Sequence, residues 1–355
     1  MVIYLLNFLT IPFYSFVIKN KKKCMILILF QMWLIMVLRS SMLGYDVIAY
    51  SQYYEVWSRY SFKEMILSTR FIKNQNIVWG LESGYVWLCW ICAKLGFSFH
   101  SFLIVHSTIC IIGVGVFLIK YCEDPIFALL IMIAFGVWGS FFYILRQSLA
   151  FVILLWACDS IIEKKPIKFT ILYCTAVMFH RAAIVFIPLY FLSKIKITKK
   201  IIIIFTVVSI IWLFIFSRFY KYIYLFLKVF GKENMYALGK MKANNMLVCF
   251  LLIFFVVLIF SKKLELLQNQ PNNILFWCFM FTILVEIISL YIPDFARIAI
   301  CELFPFGAVL IANVFNQQNN ENKKIIKATS YIILILFYVY ILKNASYVPY
   351  KPMWG

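Results

Sequence analysis

Long apolar runs separated by short polar breaks dominate the chain. Stretches 1–18, 24–40, 101–119, 126–145, 146–162, 199–217, 246–261, 272–292, 296–315 and 325–343 carry few charges. Each reaches or approaches the roughly 20 residues that a helix needs to cross a bilayer. None alternates with the period of two that a membrane β-strand requires, and a spanning backbone must satisfy its own hydrogen bonds, so each run predicts a helix. Two segments fit less simply. Residues 83–95 are too short to cross comfortably and predict a half-helix on the outer face. Residues 167–192 are long enough, but His180 and Arg181 interrupt them midway, where charge is costly. The pattern therefore predicts an all-α polytopic membrane protein with about ten transmembrane helices, a re-entrant hairpin of half-helices over about 167–192, and the outer half-helix.

Composition agrees and narrows the class. The chain is 65% hydrophobic and 14% charged, with mean hydropathy +0.92, against roughly 45–50% and about 25% in a soluble domain. A soluble enzyme and a disordered chain are excluded. No polar stretch is long enough for a separate domain, so residues 1–355 are expected to form one integral membrane domain, with outer loops at about 41–100 and 218–245. Met1–Ile18 lacks a basic n-region, its lysines following the apolar stretch, and so does not resemble a cleavable signal.

The net charge of +20, from 34 basic and 14 acidic residues, orients the chain through its short-loop lysines. Lys19 and Lys21–Lys23 place the first loop in the cytoplasm and residues 41–80 outside. Lys120, the Glu163–Lys168 loop, Lys194–Lys200, Lys262–Lys263 and Lys323–Lys324 all fall inside if 167–192 turns back near Phe179-His180-Arg181. A full crossing there would send several of those lysines outside. Anionic membrane lipids are the partners this excess implies. Nucleic acid is not expected, because no nucleic-acid-reading motif is present.

Ten cysteines lie mostly inside apolar runs, and Cys89–Cys92, flanked by Trp87, Trp90 and Ile91, reads as packing. No metal, cofactor or disulfide is expected. The sequence also lacks a Gly-rich phosphate loop, a zinc signature and a nucleophile elbow. Any chemistry would therefore need a pre-activated, lipid-borne substrate.

The topology gathers ionisable residues on the outer face: Arg39, Asp46 with Tyr50, Glu82 before Ser83-Gly84-Tyr85, Arg146-Gln147, His180, and Asp294 with Arg297. Each has a structural reading. Arg39 could snorkel from a helix end, Arg146 could form a structural ion pair with Glu82 or Asp294, and His180 could be a satisfied buried histidine. Together, ionisable groups at membrane depth point to a functional site, and three arginines among carboxylates suggest an anionic ligand, since guanidinium forks match phosphate oxygens. The basic, aromatic-rich stretch 218–245 reads as interface anchoring, a headgroup lid or a saccharide platform.

These residues, in this order, are similar to the EpsG-like branch of the Wzy-type bacterial polysaccharide polymerases of O-antigen, capsule and exopolysaccharide loci. The matching features are Arg39 with Gly44, Asp46 and Tyr50, then Glu82-Ser-Gly-Tyr85, Arg146-Gln-Ser-Leu-Ala150, Phe179-His180 with a run to Pro188, and Arg297 before Pro305. They cover about 30–310. Arg181 after His180 departs from the pattern.

The resemblance implies a metal-independent glycosyltransferase of the bacterial inner (cytoplasmic) membrane, working on its periplasmic or extracellular side. It would move a growing glycan from undecaprenyl pyrophosphate onto the terminal sugar of a fresh lipid-linked repeat unit, so that lipid-linked oligosaccharide is donor and acceptor. A chain-length regulator protein is a further partner it allows. Arg146 and Arg297, supported by Arg39, would hold pyrophosphate. His180, Asp46 and Glu82 are the candidate bases. Tyr50, Tyr85, Gln147 and Asp294 are weaker candidates for saccharide or lipid contact. The rival readings are a lipid-linked oligosaccharide flippase and a polyprenyl-monophosphate-sugar-dependent glycosyltransferase.

Overall fold

The computed structural model describes residues 1–71, 81–229, 245–261, 264–345 and 347–354. Among them the chain is helical, and the one strand-like feature is an isolated antiparallel bridge between Arg39 and Pro352. Six helices are long and apolar enough to cross a membrane: Phe99–Tyr121, Leu145–Ile162, Lys199–Tyr222, Asn272–Ser289, Asp294–Asn316 and Asn320–Lys343. Shorter apolar helices occupy other predicted runs, at Val2–Val17, Pro125–Ala134, Pro166–Phe179, Arg181–Leu192 and Asn245–Phe260. Only 11% of the Lys199–Tyr222 window and 17% of the Asn320–Lys343 window is buried. Ile203, Ile210, Phe214, Ile332 and Leu336 stand exposed on these two helices. So much outward apolar surface would be unfavourable in water and is at home against lipid. This is a multi-pass membrane protein.

The run 126–145 departs from the sequence expectation of one continuous helix. Its first helix stops at Ala134, Gly136 adopts a left-handed φ of +80°, and a single turn at Val137–Ser140 leads into the span that begins at Leu145. Hydropathy does not register this break, because Phe135–Ile144 stays apolar while the backbone turns. The conformation at Gly136 is one that side-chain-bearing residues rarely adopt.

The chain divides into two compact units, residues 1–120 with 125–186 and 329–355, and residues 121–124 with 187–328. In the first, local signals set the helix boundaries. The Asn20 side chain caps Lys21–Val37 by accepting from the Lys23 N–H at 3.0 Å. Ser61 and Glu64 form a reciprocal capping box, at 2.7 and 3.3 Å, at the start of Phe62–Phe71. Pro166 opens Pro166–Phe179, which ends where His180 becomes extended (φ −155°, ψ 119°) and a 3-10 helix, Arg181–Phe186, follows. The backbone thus breaks at the residue where the sequence places the interruption.

At their ends, Phe99–Tyr121 and Leu145–Ile162 are tied by Lys120, which pairs with Asp159 and Glu163, while Lys165 and Lys168 reach the same carboxylates at 2.9 and 3.3 Å. An aromatic core of Tyr50, Tyr54, Trp57, Tyr85 and Phe102, closed by Leu145 and Leu149, joins the helices Tyr45–Arg59, Ser83–Lys94, Phe99–Tyr121 and Leu145–Ile162.

In the second unit, Asn272–Ser289 and Asp294–Asn316 are the buried pair, at 83% and 89% of their windows. Asp294–Asn316 contains a π-helical turn at Ala299–Leu303 before Pro305. Side-chain amides fasten the connecting segments. Asn273 and the Trp277 indole both donate to the Ile195 carbonyl at 3.1 Å, and Asn313 donates to Tyr121 O and Asn272 Oδ1 at 3.1 and 2.8 Å. Lys327 pairs with Asp124.

Gly84 sets the distance between Ser83–Lys94 and Pro166–Phe179. A methyl added there would lie 2.8 Å from the Met178 carbonyl oxygen and 3.1 Å from the Phe179 ring. The backbone oxygen cannot swing aside as a side chain could. Gly84→Ala is expected to destabilise the protein by about 1–3 kcal/mol, as overpacking does. Thermal unfolding in detergent checks this, and an unchanged melting temperature would show that the two helices are not held in contact there.

Candidate functional site

The first unit brings together residues from four separated stretches of sequence. Glu82 stands in extended conformation immediately before Ser83–Lys94, and Arg146 is the second residue of Leu145–Ile162. Their side chains form an ion pair. Tyr50, near the middle of Tyr45–Arg59, accepts from Arg146 Nε at 3.0 Å, and its ring lies 5.7 Å from the guanidinium carbon. The break at 180 supplies the rest. The Arg181 backbone N–H, one of the first of the 3-10 helix, donates to Glu82 Oε1 at 3.2 Å, and His180 Nδ1 lies 3.4 Å from the same oxygen. One carboxylate therefore fixes a guanidinium, a helix start and an imidazole.

Exposure differs across the group. The Glu82 side chain is 7% accessible, Arg146 18% and His180 23%. Withdrawing two charges from water is costly unless their remaining hydrogen-bonding capacity is used, and Tyr50 and the Arg181 amide contribute to that here. Burial alone would raise the Glu82 carboxyl, but His180, Arg146 and the Arg181 N–H outweigh it and hold it at about 2. Glu82 is thus an anion throughout the neutral range and a weak proton acceptor. It holds the guanidinium by the ion pair and faces the imidazole at 3.4 Å.

The remaining predicted residues are placed as follows. Tyr85 is buried, with its ring 5.2 Å from Tyr50. Gln147 is buried beside Arg146 in sequence. Asp46 lies one helical turn before Tyr50, is partly exposed, and acts on the Tyr50 phenol electrostatically. Arg39 is completely buried, its guanidinium carbon 5.3 Å above the Phe142 ring, which excludes the snorkelling alternative. Asp294 and Arg297 belong to the second unit, where they pair with each other at 2.7 Å on one helical turn and are partly exposed. Of the 218–245 stretch, residues 230–244 lie outside the described residues, as do Lys262 and Lys263.

Sequence reasoning passed over three fully buried ionisable residues: His106, Glu286 and Glu302. Glu286 and Glu302 sit in the buried helices of the second unit, Glu302 within the π-helical turn. His106 Nε2 lies 2.8 Å from the Ser148 hydroxyl. The rule that singled out His180, a titratable residue inside an apolar run, applies equally to all three. Among the described residues no group of three or more His, Cys, Asp or Glu side chains is arranged to hold a metal ion.

Fold and site together define a helical, multi-pass membrane protein with a half-buried, protein-compensated arginine near a half-buried histidine. The chain belongs to the EpsG family, whose family model matches residues 4–352. Membership suggests a role in polysaccharide polymerisation. No curated protein and no solved structure matches the chain.

Replacing Glu82 tests the pair. Glu82→Gln leaves Arg146 buried without its counter-charge and is expected to cost about 3 kcal/mol. The sign with pH follows from a carboxyl lowered on folding. Its contribution is complete above the unfolded value of about 4.3 and is lost as pH falls toward the folded value. Melting temperatures of wild type and variant should therefore differ by a constant margin from pH 8 to about pH 5, then converge as pH falls toward 2. Coincident melting at pH 7 would show that the pair contributes nothing.

Proposed function

We propose that the chain is a polymerase of lipid-linked repeat units, and that Arg146, held by Glu82 and Tyr50, is the cation against which the pyrophosphate leaving group develops its charge. The observation that carries the reading is the Arg146–Glu82–His180 arrangement, which sets an anchored guanidinium and an oriented imidazole beside one carboxylate. In the reaction the terminal sugar hydroxyl of the incoming unit attacks the anomeric carbon of the growing glycan. The bond from that carbon to the pyrophosphate oxygen breaks, and undecaprenyl pyrophosphate leaves with the electron pair. The hydroxyl proton passes to an imidazole nitrogen of His180, which can accept it as a general base. Pre-positioned cations stabilise the departing charge, the largest contribution available to such a transfer.

Glu82 is assigned here as the residue that positions His180. Asp46, one turn from Tyr50, is the second candidate base. Tyr50, Tyr85 and Gln147 shape the wall of the site, and Arg297, paired with Asp294 in the second unit, is a further candidate cation for pyrophosphate. Arg181, the departure from the family pattern, adds an exposed cation at the same turn. Its basic side chain favours an anionic substrate at the break.

The proposed topology has ten spans, the outer half-helix and the hairpin turning at His180, with the site on the periplasmic or extracellular side of the bacterial inner membrane. The extended residue at 180 supports the hairpin. The Lys120–Asp159–Glu163 cluster supports putting the 120 and 163–168 turns on one side.

The test uses purified protein in detergent, a defined lipid-pyrophosphate repeat unit and chelator, with products resolved on a gel. Wild type should give a ladder. Arg146→Ala should lower the extension rate by about 100-fold or more, with size-exclusion profiles showing both proteins folded. His180→Ala should lose the ladder while Glu82→Gln keeps a residue of it. Wild-type ladders from both Arg146→Ala and His180→Ala would overturn the assignment. No extension, with transfer of the unit across vesicles, would replace it with a flippase.

A further inference from the structure

Arg39 differs from Arg146 and Arg181 of the first unit. It has no accessible surface, and its Nε, Nη1 and Nη2 atoms hydrogen-bond to no protein atom. Its protein contact is the face of Phe142. A buried guanidinium with all its donors uncommitted is among the most costly arrangements a protein can hold. A cation–π contact returns only part of that cost.

What buries it is the segment Tyr347–Trp354, far away in sequence. Pro352 bridges to Arg39 itself. The Ser40 N–H donates to Lys351 O at 2.7 Å, and the Met353 N–H donates to Leu38 O at 2.9 Å. The Tyr350 hydroxyl donates to Ile35 O at 3.0 Å, and the Tyr4 hydroxyl donates to Tyr347 O at 2.9 Å. Tyr347 stacks on Phe142, the ring beneath Arg39, with centroids 5.8 Å apart and planes at 18°. The Tyr347 hydroxyl sits where a side chain on Gly139 would be, since a methyl there would come within 2.2 Å of it.

We infer that Tyr347–Trp354 is a strap closing an oxyanion site at Arg39, and that the ligand is of the phosphate or pyrophosphate class. Five uncommitted N–H donors in a planar fork match two oxygens of a tetrahedral anion. Two of these hydrogen bonds join backbone groups and two come from tyrosine hydroxyls, and all four can break while the helices stay packed. Without an anion, closure buries an uncompensated charge. With one, the same closure buries a neutralised pair, so the ligand shifts the strap toward the closed state by its differential affinity. The anion chemistry is shared with the polymerase reading, but the strap does not rest on it. The phosphate can come from solution or from a lipid.

Hydrogen exchange of the full-length protein, followed by mass spectrometry at the Ser40 and Met353 amides, reads strap closure directly and needs no polymer. In nanodiscs of zwitterionic phosphatidylcholine, inorganic pyrophosphate should slow exchange at both amides by about tenfold. Nanodiscs containing phosphatidic acid, without pyrophosphate, test the lipid source, and slowing there alone would assign the ligand to the membrane. Arg39→Met should itself slow exchange in the absence of ligand, because closure no longer buries a charge, and should abolish the response to either anion. Gly139→Ala, which displaces Tyr347 without touching Arg39, should speed exchange in the absence of ligand. The inference is overturned if Arg39→Met speeds exchange, which would make Arg39 a fastener of the strap. Unchanged exchange with both anions would equally overturn it. A failed ladder with intact strap protection would count against the polymerase reading alone.

Discussion

The ion pair between Glu82 and Arg146 is the constraint on which the first unit's site depends. Neither partner is tolerable alone at its depth, because an unpaired buried charge costs several kcal/mol. Each is presented by a helix start, Glu82 before Ser83–Lys94 and Arg146 at the opening of Leu145–Ile162. Pairing them therefore fixes two helix ends against each other. The carboxylate's second oxygen then dictates where the chain breaks, since it accepts from the Arg181 N–H and faces His180. A 3-10 helix beginning in an apolar environment leaves amides without partners, and Glu82 serves one of them. Gly84, two residues on, lets the Pro166–Phe179 backbone approach closely enough for this to happen. Charge compensation, the helix break and the absent side chain form one solution.

The same electrostatics separate the roles of the neighbouring acids and bases. A carboxylate that three cationic or donating partners hold at about 2 has little affinity for a proton. It is better suited to fixing the direction of an imidazole than to accepting a proton itself. Sequence could nominate Asp46, Glu82 and His180 together, since each is ionisable and predicted near one depth. It could not rank them, because the ranking comes from which atoms meet. Glu82 is spent on Arg146 and the Arg181 amide, while His180 keeps partial access to the surface.

What was legible follows from the range of each interaction. Apolar runs are local, so most helices could be placed from the sequence, and the break at His180 was visible because a titratable pair interrupts such a run. The break at Gly136–Ile144 was not, for its residues are apolar and only the glycine's left-handed conformation marks it. The Arg146–Glu82 pair could be raised as one of two partnerships, because arginine at depth needs an acid, but the choice between Glu82 and Asp294 needed coordinates. Asp294 instead pairs with Arg297 on its own helical turn. Arg39 does follow the end of Lys21–Val37, but its burial is not legible in the sequence, because its cover includes Pro352 and no local pattern reports a contact that distant. Glu286 and Glu302 are legible in the sequence as titratable residues inside apolar runs, though their full burial is not.

Arg39 and Arg146 show two ways of burying the same group. Arg146 is answered by a carboxylate and a phenol, so its position is settled with or without a ligand. Arg39 is answered by an aromatic face, and its cover is a short segment held by backbone and tyrosine-hydroxyl hydrogen bonds. The difference in compensation is a difference in mechanism. A compensated arginine is a fixed electrostatic element, pre-organised for whatever charge develops beside it. An uncompensated arginine under a removable cover makes the energy of closure depend on what is bound, so it couples occupancy to conformation.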